Sequence, residues 1–210
     1  MKPTAEQLRE LASRDPALGA AMDRLPPFPG FPAGIGARGS HFQAIARSIA
    51  YQQLAGAAAT TIYGRVCALT PGPGFPTVEE CLELSDERFR GAGFSAAKTR
   101  AVKDLAGKCK AGSVRLRSVS RMTDDEVVKM LSSVWGIGEW TAQMFLIFRL
   151  GRLDVMPAGD LGVQEGLRIL DGLEERPAPG DVLARAEPWR PLRSVATYVL
   201  YRLCDEAKEQ

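Results

Sequence analysis

The sequence predicts an all-α protein, and three observations carry that expectation. Serine, threonine and aspartate recur just ahead of stretches whose apolar residues fall at helical spacing, the arrangement of an N-cap and its amphipathic helix. Clusters of proline and glycine separate those stretches, as at Pro26-Pro27 and Pro71-Gly72-Pro73-Gly74. No convincing run alternates apolar and polar side chains as a half-buried strand would. About ten helices are expected on this pattern. In 210 residues, 45% hydrophobic and 25% charged, they make one globular domain or two small lobes sharing a cleft.

Thr4 opens a first amphipathic helix that runs to about Arg14. Asp15 caps the second, with Pro16 at its first helical position, and Pro26-Pro27 stops it. Residues 26–39 read as an extended loop with Phe28 or Phe31 turned inward. Ser40 caps a long helix through about Ala55, with an inner stripe of Phe42, Ile45, Ala46, Ile49, Ala50 and Gln53. An alanine-rich helix spans Ala57 to Ala68. Thr77 and Ser85 cap two short helices, to about Leu84 and through Phe89, before Gly91 and Gly93. Ser95 caps a helix to about Lys110. Thr123, with Glu126 at the capping-box position, starts a short helix from Asp124 to Ser132. The hairpin Gly136-Ile137-Gly138 leads into a helix from Glu139 to about Leu150, apolar at Trp140, Met144, Ile147 and Phe148. Asp160 caps a helix from Leu161 to about Leu170. After a loop over residues 172–180, a short helix covers Asp181 to Glu187. The last helix runs from Pro191 to about Ala207.

Composition narrows the class. No apolar run approaches the roughly 18 residues of a membrane span. The N-terminus, MKPTAEQLRE, is polar and unlike a signal peptide, so a cytoplasmic protein is expected. A net charge of +2 selects no partner by itself. Yet Lys98, Arg100, Lys103, Lys108, Lys110, Arg115, Arg117 and Arg121 fall in one stretch, opposed there mainly by Asp104. Such a stretch is either a basic face for phosphates or a solvated helix surface. Cys67, Cys81, Cys109 and Cys204 lack metal-ligand spacing and read as reduced, mostly structural thiols. His41, the single histidine, stands beside an N-cap as a surface residue would, and no metal site needing two histidines can form.

The chain is organised around residues 131–160, LSSVWGIGEWTAQMFLIFRLGRLDVMPAGD. Gly136 and Gly138 permit left-handed backbone angles and leave no side chain in the way. The helix that follows at once points its first N–H groups out of the turn, with the partial positive charge of its dipole. Such a turn holds an anion, a DNA phosphate first among the candidates, or is only a tight connection between helices. Asp160, just after a loop, is a helix cap or an acid.

Taken jointly, V-W-G-I-G-E-W-T-A and, about twenty residues on, P-A-G-D-L-G-V resemble the signature of the helix-hairpin-helix base-excision DNA glycosylases. The string is most similar to the alkylation-repair branch, DNA-3-methyladenine glycosylase II. The resemblance covers roughly residues 40 to 205. It implies two helical lobes with the active-site cleft between them: residues 1–55 with 171–210, and residues 56–170 containing the hairpin 131–142. Relatives often add an N-terminal domain with β-structure. Only about 39 residues precede the long helix here, so a compact version without that domain is expected.

The implied activity is base flipping followed by hydrolysis of the N-glycosidic bond of 3-methyladenine, 7-methylguanine and related alkylated bases in double-stranded DNA. The implied enzyme is a monomer without membrane attachment. Gly136, Ile137 and Gly138, with Thr141, then contact DNA. Gln53, with Leu54 second, plugs the vacated gap from the Tyr51-Gln52-Gln53-Leu54 segment. Asp160 is catalytic: its carboxylate stabilises the charge that builds on the sugar and orients or deprotonates water. Trp140, Met144 and Tyr201 line the base pocket. The main-chain carbonyls of Ser132, Val134 and Ile137 take the positions that hold a monovalent cation, Na+ or K+, in the family, and no other cofactor is required. Cluster-bearing relatives have closely spaced cysteines near the C-terminus; only Cys204 lies there, so no iron–sulfur cluster is expected.

This sequence also departs from the family pattern. Members that cut the strand carry a lysine nucleophile just before the Thr-Ala pair. Trp140 stands there and forms no Schiff base, which implies a monofunctional enzyme. Met144 replaces an aromatic residue frequent in bacterial members, and its flexible thioether implies a more open pocket with broader or shifted substrate choice. Trp135 replaces a usual proline and either anchors the turn by burial or lies against a DNA sugar. Asp154, the nearest rival to Asp160, precedes Val155-Met156-Pro157 and suits a turn. Three other readings stand beside this one: a glycosylase of another branch acting on oxidised or mismatched bases, a non-catalytic helix-hairpin-helix DNA-binding module, and a helical protein unrelated to DNA.

Overall fold

The computed structural model describes residues 2–31, 39–54 and 56–209. Among these residues it contains twelve α-helices and no strand, as the capping pattern predicts. The first seven are α1 (Ala5–Arg14), α2 (Pro16–Arg24), α3 (His41–Tyr51), α4 (Gly56–Cys67), α5 (Val78–Glu83), α6 (Asp86–Gly91) and α7 (Ala96–Lys110). Then come α8 (Asp124–Ser132), α9 (Glu139–Met144), α10 (Leu161–Asp171), α11 (Pro179–Arg185) and α12 (Arg193–Glu209). Their starts are chemically marked. Thr4, Ser40, Thr77 and Thr123 each accept from the third amide of their helix, and Gln7, Gln43, Glu80 and Glu126 reach back to the cap amide. A cap of this kind contributes about 1 kcal/mol.

The helices gather into two compact units, Met1–Ala33 with Leu146–Gln210, and Gly34–Phe145. This corrects the expected lobe limits at both ends. The segment after residue 33 belongs not to the lobe of the termini but to the second unit, where the stripe of α3 is buried and Lys98 of α7 donates to the Ala50 carbonyl at 2.7 Å. Residues 146–170 belong not to the middle lobe but to the first unit, where α10 packs on α12. A Cβ on Gly166 would lie 2.4 Å from the Leu200 carbonyl oxygen, so the two backbones touch.

Three element boundaries also differ from expectation. Helix α3 ends at Tyr51, and Gln53 takes a left-handed φ of 55° on the exposed side rather than joining the inner stripe. Tertiary partners end it: the Lys98 ammonium takes a terminal carbonyl, and the Gln52 side chain turns away toward Gly136. Ala55, the expected terminus, lies outside the described residues, as do residues 32–38 of the expected loop. The single helix expected from Glu139 to Leu150 is α9 followed directly by a π-helical turn, Phe145–Arg149. Phe145, Leu146 and Ile147 are all buried, and three consecutive residues cannot share one narrow α-helical stripe. Helix α11 begins at Pro179, two residues early, because proline suits the first helical turn. A 3-10 turn at Glu187–Trp189 then carries Trp189 into the core.

In the first unit, Phe31 is buried against Phe148 and Phe28, with ring centroids 5.4 and 4.8 Å away. The four cysteines are unpaired thiols, and burial pushes Cys81 up to about 12 and Cys109 to about 11. No helix among the described residues is long and apolar enough to cross a membrane.

Asp15 does more than cap α2. It is 5% exposed, and besides the Leu18 amide at 3.1 Å its carboxylate accepts from the Trp189 indole at 2.7 Å and from Arg185. Burial pushes its carboxyl up, but the bonds from Arg185, Trp189 and Leu18 outweigh burial and hold it below the usual carboxylate value. A depressed carboxyl contributes stability above its unfolded-state pKa, and that stability is lost as pH falls through the folded value. Asp15→Asn should therefore lower unfolding free energy by about 1–3 kcal/mol at neutral pH, measured in urea. The deficit relative to wild type should shrink as pH falls from about 4, where the carboxyl of the unfolded chain takes up its proton, down through the lower folded-state value of Asp15.

Candidate active site

Helix α8, the turn after it and α9 form the helix-hairpin-helix in the second unit. Val134 and Ile137 are buried and root the turn, while Ser132, Ser133, Trp135, Gly136 and Gly138 face solvent. The Ile137 N–H donates to the Val134 carbonyl at 3.1 Å, and Ala142 to Gly138 at 3.2 Å. Gly136 has φ +78°, which only glycine adopts easily, and a Cβ there would lie 3.3 Å from the Ala101 methyl of α7. Gly138 is different. Its φ is −92°, so the left-handed freedom expected of it is not used, and open space surrounds its Cβ position.

Helix α7 braces the turn from behind. Asp104 Oδ2 accepts the Trp135 N–H at 2.7 Å and the Lys108 ammonium at 2.7 Å, and Lys108 also donates to the Ser133 carbonyl. Burial pushes the Asp104 carboxyl up; the Lys108 and Trp135 bonds win and hold it below its ordinary value. Trp135 is 39% exposed and carries Arg100 over its ring, 4.4 Å from the centroid. Burial therefore does not anchor Trp135; its backbone does.

A second strut comes from the end of α3. Gln52 Nε2 donates to the Gly136 carbonyl at 3.2 Å and to the Thr141 hydroxyl at 3.4 Å. Thr141, expected on DNA, is 5% exposed and faces this glutamine instead. Next to Gln52, Gln53 is the one non-glycine residue with a positive φ among the described residues, and it is exposed, as is Leu54 at 37%. Strain of this kind persists only where neighbouring contacts hold it, and it concentrates at functional positions. Trp140, expected in a pocket, is 48% exposed; Met144 is half-buried. His41 packs its ring 5.7 Å from that of Phe145, a packing role.

In the first unit, Asp160 heads α10. Its Oδ1 accepts the Val163 N–H at 2.9 Å, and its own amide donates to the Pro157 carbonyl at 2.9 Å. Met156, Ala158 and Val163 are buried around this turn, which fixes the carboxylate from below. Tyr201 of α12 donates its hydroxyl to Asp160, and burial together with the Asp160 charge pushes that phenol well above its ordinary range. Tyr201 is thus a neutral donor beside an anion. The close approach depends on Gly162, where a Cβ would lie 2.9 Å from Tyr201 Cε1 and 3.0 Å from Asp160 Oδ1. Asp154 is already engaged: Arg193 grips it through Nε at 2.8 Å and Nη2 at 3.1 Å, and Arg190 adds a bond at 2.9 Å. It is a structural carboxylate.

The pattern of the HhH-GPD superfamily of base excision DNA repair proteins matches residues 46–191. This chain belongs to that superfamily. One HhH-GPD relative, DNA-3-methyladenine glycosylase 1 of Schizosaccharomyces pombe, is 35% identical over 162 residues, 77% of this chain and 71% of the relative. The fold superposes on an S. pombe 3-methyladenine DNA glycosylase in complex with abasic DNA with a TM-score of 0.84, at 30% identity, covering 94% of this chain and 95% of the other. A DNA-3-methyladenine glycosidase from Bacillus halodurans gives a TM-score of 0.85 at 28% identity, covering 100% of this chain and 94% of that one.

The cation expected at the HhH-GPD hairpin meets a crowded site. The recess that Ser132, Val134 and Ile137 line also holds Arg100 and Lys108 against a single carboxylate, Asp104, and the Val134 carbonyl already accepts from Ile137. Two cationic side chains disfavour a third positive charge there. Among the described residues, no three His, Cys, Asp or Glu side chains gather as a metal site. Gln52, Asp104 and Lys108 brace the turn through contacts that no short motif marks. The spacing of 104 and 108 marks an ion pair along a helix, but not what that pair faces.

The contrast between the two glycines is measurable. Gly136→Ala should destabilise the protein by about 1–2 kcal/mol in urea unfolding, because alanine resists a left-handed backbone. Gly138→Ala should stay within about 0.5 kcal/mol of wild type.

Proposed function

We propose that this protein is a monofunctional DNA glycosylase that excises alkylated bases such as 3-methyladenine and 7-methylguanine from double-stranded DNA. The observation that carries the reading is the carboxylate of Asp160 at the head of α10 with neutral Tyr201 bonded to it, in a chain of this superfamily. The 3-methyladenine glycosylases among its relatives support the substrate class.

The chemistry follows from the leaving group. An alkylated purine bears positive charge or is electron-poor, so it departs with the electron pair of the C1′–N bond as a good leaving group. No general acid is needed to protonate it. Positive charge then builds on the deoxyribose, and the Asp160 carboxylate stabilises it. Water adds to C1′ and gives up its proton to the carboxylate or to solvent, leaving a free base and an abasic site. Tyr201, as a neutral donor, orients Asp160 without competing for the negative charge.

The other roles belong to the second unit. Gln53, presented on a strained and exposed backbone with Leu54 beside it, fills the gap left by the everted nucleotide. Trp140 offers an aromatic ring to a cationic base, an arrangement favoured by cation–π attraction. Met144 gives that pocket an adaptable wall, which supports a broad substrate range. Gly136 and Gly138 approach a DNA phosphate through their main chain.

Asp160→Asn should abolish release of methylated bases from methylated duplex DNA, followed by chromatography, while binding to an abasic-site duplex stays within about threefold of wild type. Weakened binding in step with lost release would instead make Asp160 a folding residue. Because Trp140 stands where strand-cutting relatives have lysine, borohydride added during turnover should trap no protein–DNA adduct. Efficient trapping would overturn the monofunctional assignment.

A further inference from the structure

Three of the five basic residues of α7 are engaged within the second unit. Lys98 donates to the Ala50 carbonyl, Lys103 pairs with Asp86 at 2.5 Å, and Lys108 is divided between Asp104 and the Ser133 carbonyl. These three hold the second unit together. Arg100 does something else. It is exposed, and its guanidinium lies over the Trp135 ring at the rim of the recess formed by α7 and the hairpin. Asp104 is already matched by Lys108, so the recess keeps one net positive charge, and Arg100 carries it outward.

We infer that Arg100, held on the face of Trp135, contacts a DNA phosphate beside the hairpin. The inference rests on the DNA glycosylase reading and adds to it a charged residue that no motif marks. A guanidinium stacked on an indole has one face covered, but its N–H edge still points outward. That edge matches two phosphate oxygens, and the stacking fixes it before DNA arrives, which reduces the entropy lost on binding. The hairpin offers a phosphate only neutral amides, and a charge-assisted bond is roughly twice as strong as a neutral one. Asp104 is then a positioning residue: by holding the Trp135 N–H at 2.7 Å it sets the ring on which Arg100 rests.

The test is a salt titration of binding to a short duplex containing a tetrahydrofuran abasic-site analogue, read by fluorescence anisotropy. Loss of one phosphate contact reduces the slope of log affinity against log salt by about 0.9. Arg100→Ala should show that reduced slope, bind roughly 3- to 10-fold more weakly at low salt, and lose the same factor on undamaged duplex. Its thermal midpoint should match wild type, which separates a lost contact from misfolding. Trp135→Ala should weaken binding less, with most of the slope retained, because the charge remains while its platform is gone. Arg100→Ala with wild-type affinity and slope would end the inference while leaving the glycosylase reading intact. Wild-type protein that neither binds this duplex nor releases methylated bases would remove both.

Discussion

Helices α10 and α12 cross at backbone distance, and the chemistry of the first unit depends on that contact. Position 166 has no side chain, so the carbonyl of Leu200 sits where a methyl would be. One turn earlier, Gly162 leaves room for the ring of Tyr201, and the Cys204 thiol donates to the Gly162 carbonyl at 3.2 Å. Asp160 stands at the head of the same helix. Two glycines four residues apart therefore decide where the carboxylate sits and which hydroxyl reaches it. Larger residues would push α10 outward, since a packed interior has nowhere to place the extra atoms.

The second unit solves another problem, which is to present backbone to a ligand without letting the loop wander. Val134 and Ile137 point inward and are covered. Asp104 and Lys108 hold two consecutive peptide groups from α7, and Gln52 holds a third from the end of α3. The same glutamine is the neighbour of strained Gln53, so the plug segment and the turn share an anchor. Two apolar side chains root the turn while the main chain at Gly136 and Gly138 stays open to solvent, as a surface reading shape and charge rather than sequence requires.

Much of this was legible in the sequence because helix starts are local events. A serine or threonine followed three residues on by glutamate or glutamine can close a capping box from local sequence alone, and four such boxes begin helices here. The Gly-Ile-Gly turn and Asp160 were legible for the same reason, since each lies in a short contiguous string. Helix ends were harder. Helix α3 stops because a lysine about fifty residues away takes its carbonyl, and α9 widens because three successive residues must all be buried. Neither cause is written in the segment itself. The surroundings of Thr141 are no more local: a glutamine from the end of another helix bonds its buried hydroxyl. The division into units also followed from contacts such as Gly166 with Leu200, which periodicity cannot rank.

Asp104 grips residue 135 through its peptide nitrogen, and the indole plays no part in that bond. Nineteen of the twenty amino acids present the same N–H, so the tether is blind to the side chain it holds. Drift at this position can change the outer surface of the turn without loosening its root. Proline alone breaks the rule, because it would leave the carboxylate with Lys108 as its remaining listener. Among homologues, then, an acidic residue at the site of Asp104 and a proline at the site of Trp135 are expected to avoid each other, a signature that a sufficiently deep set of sequences would reveal.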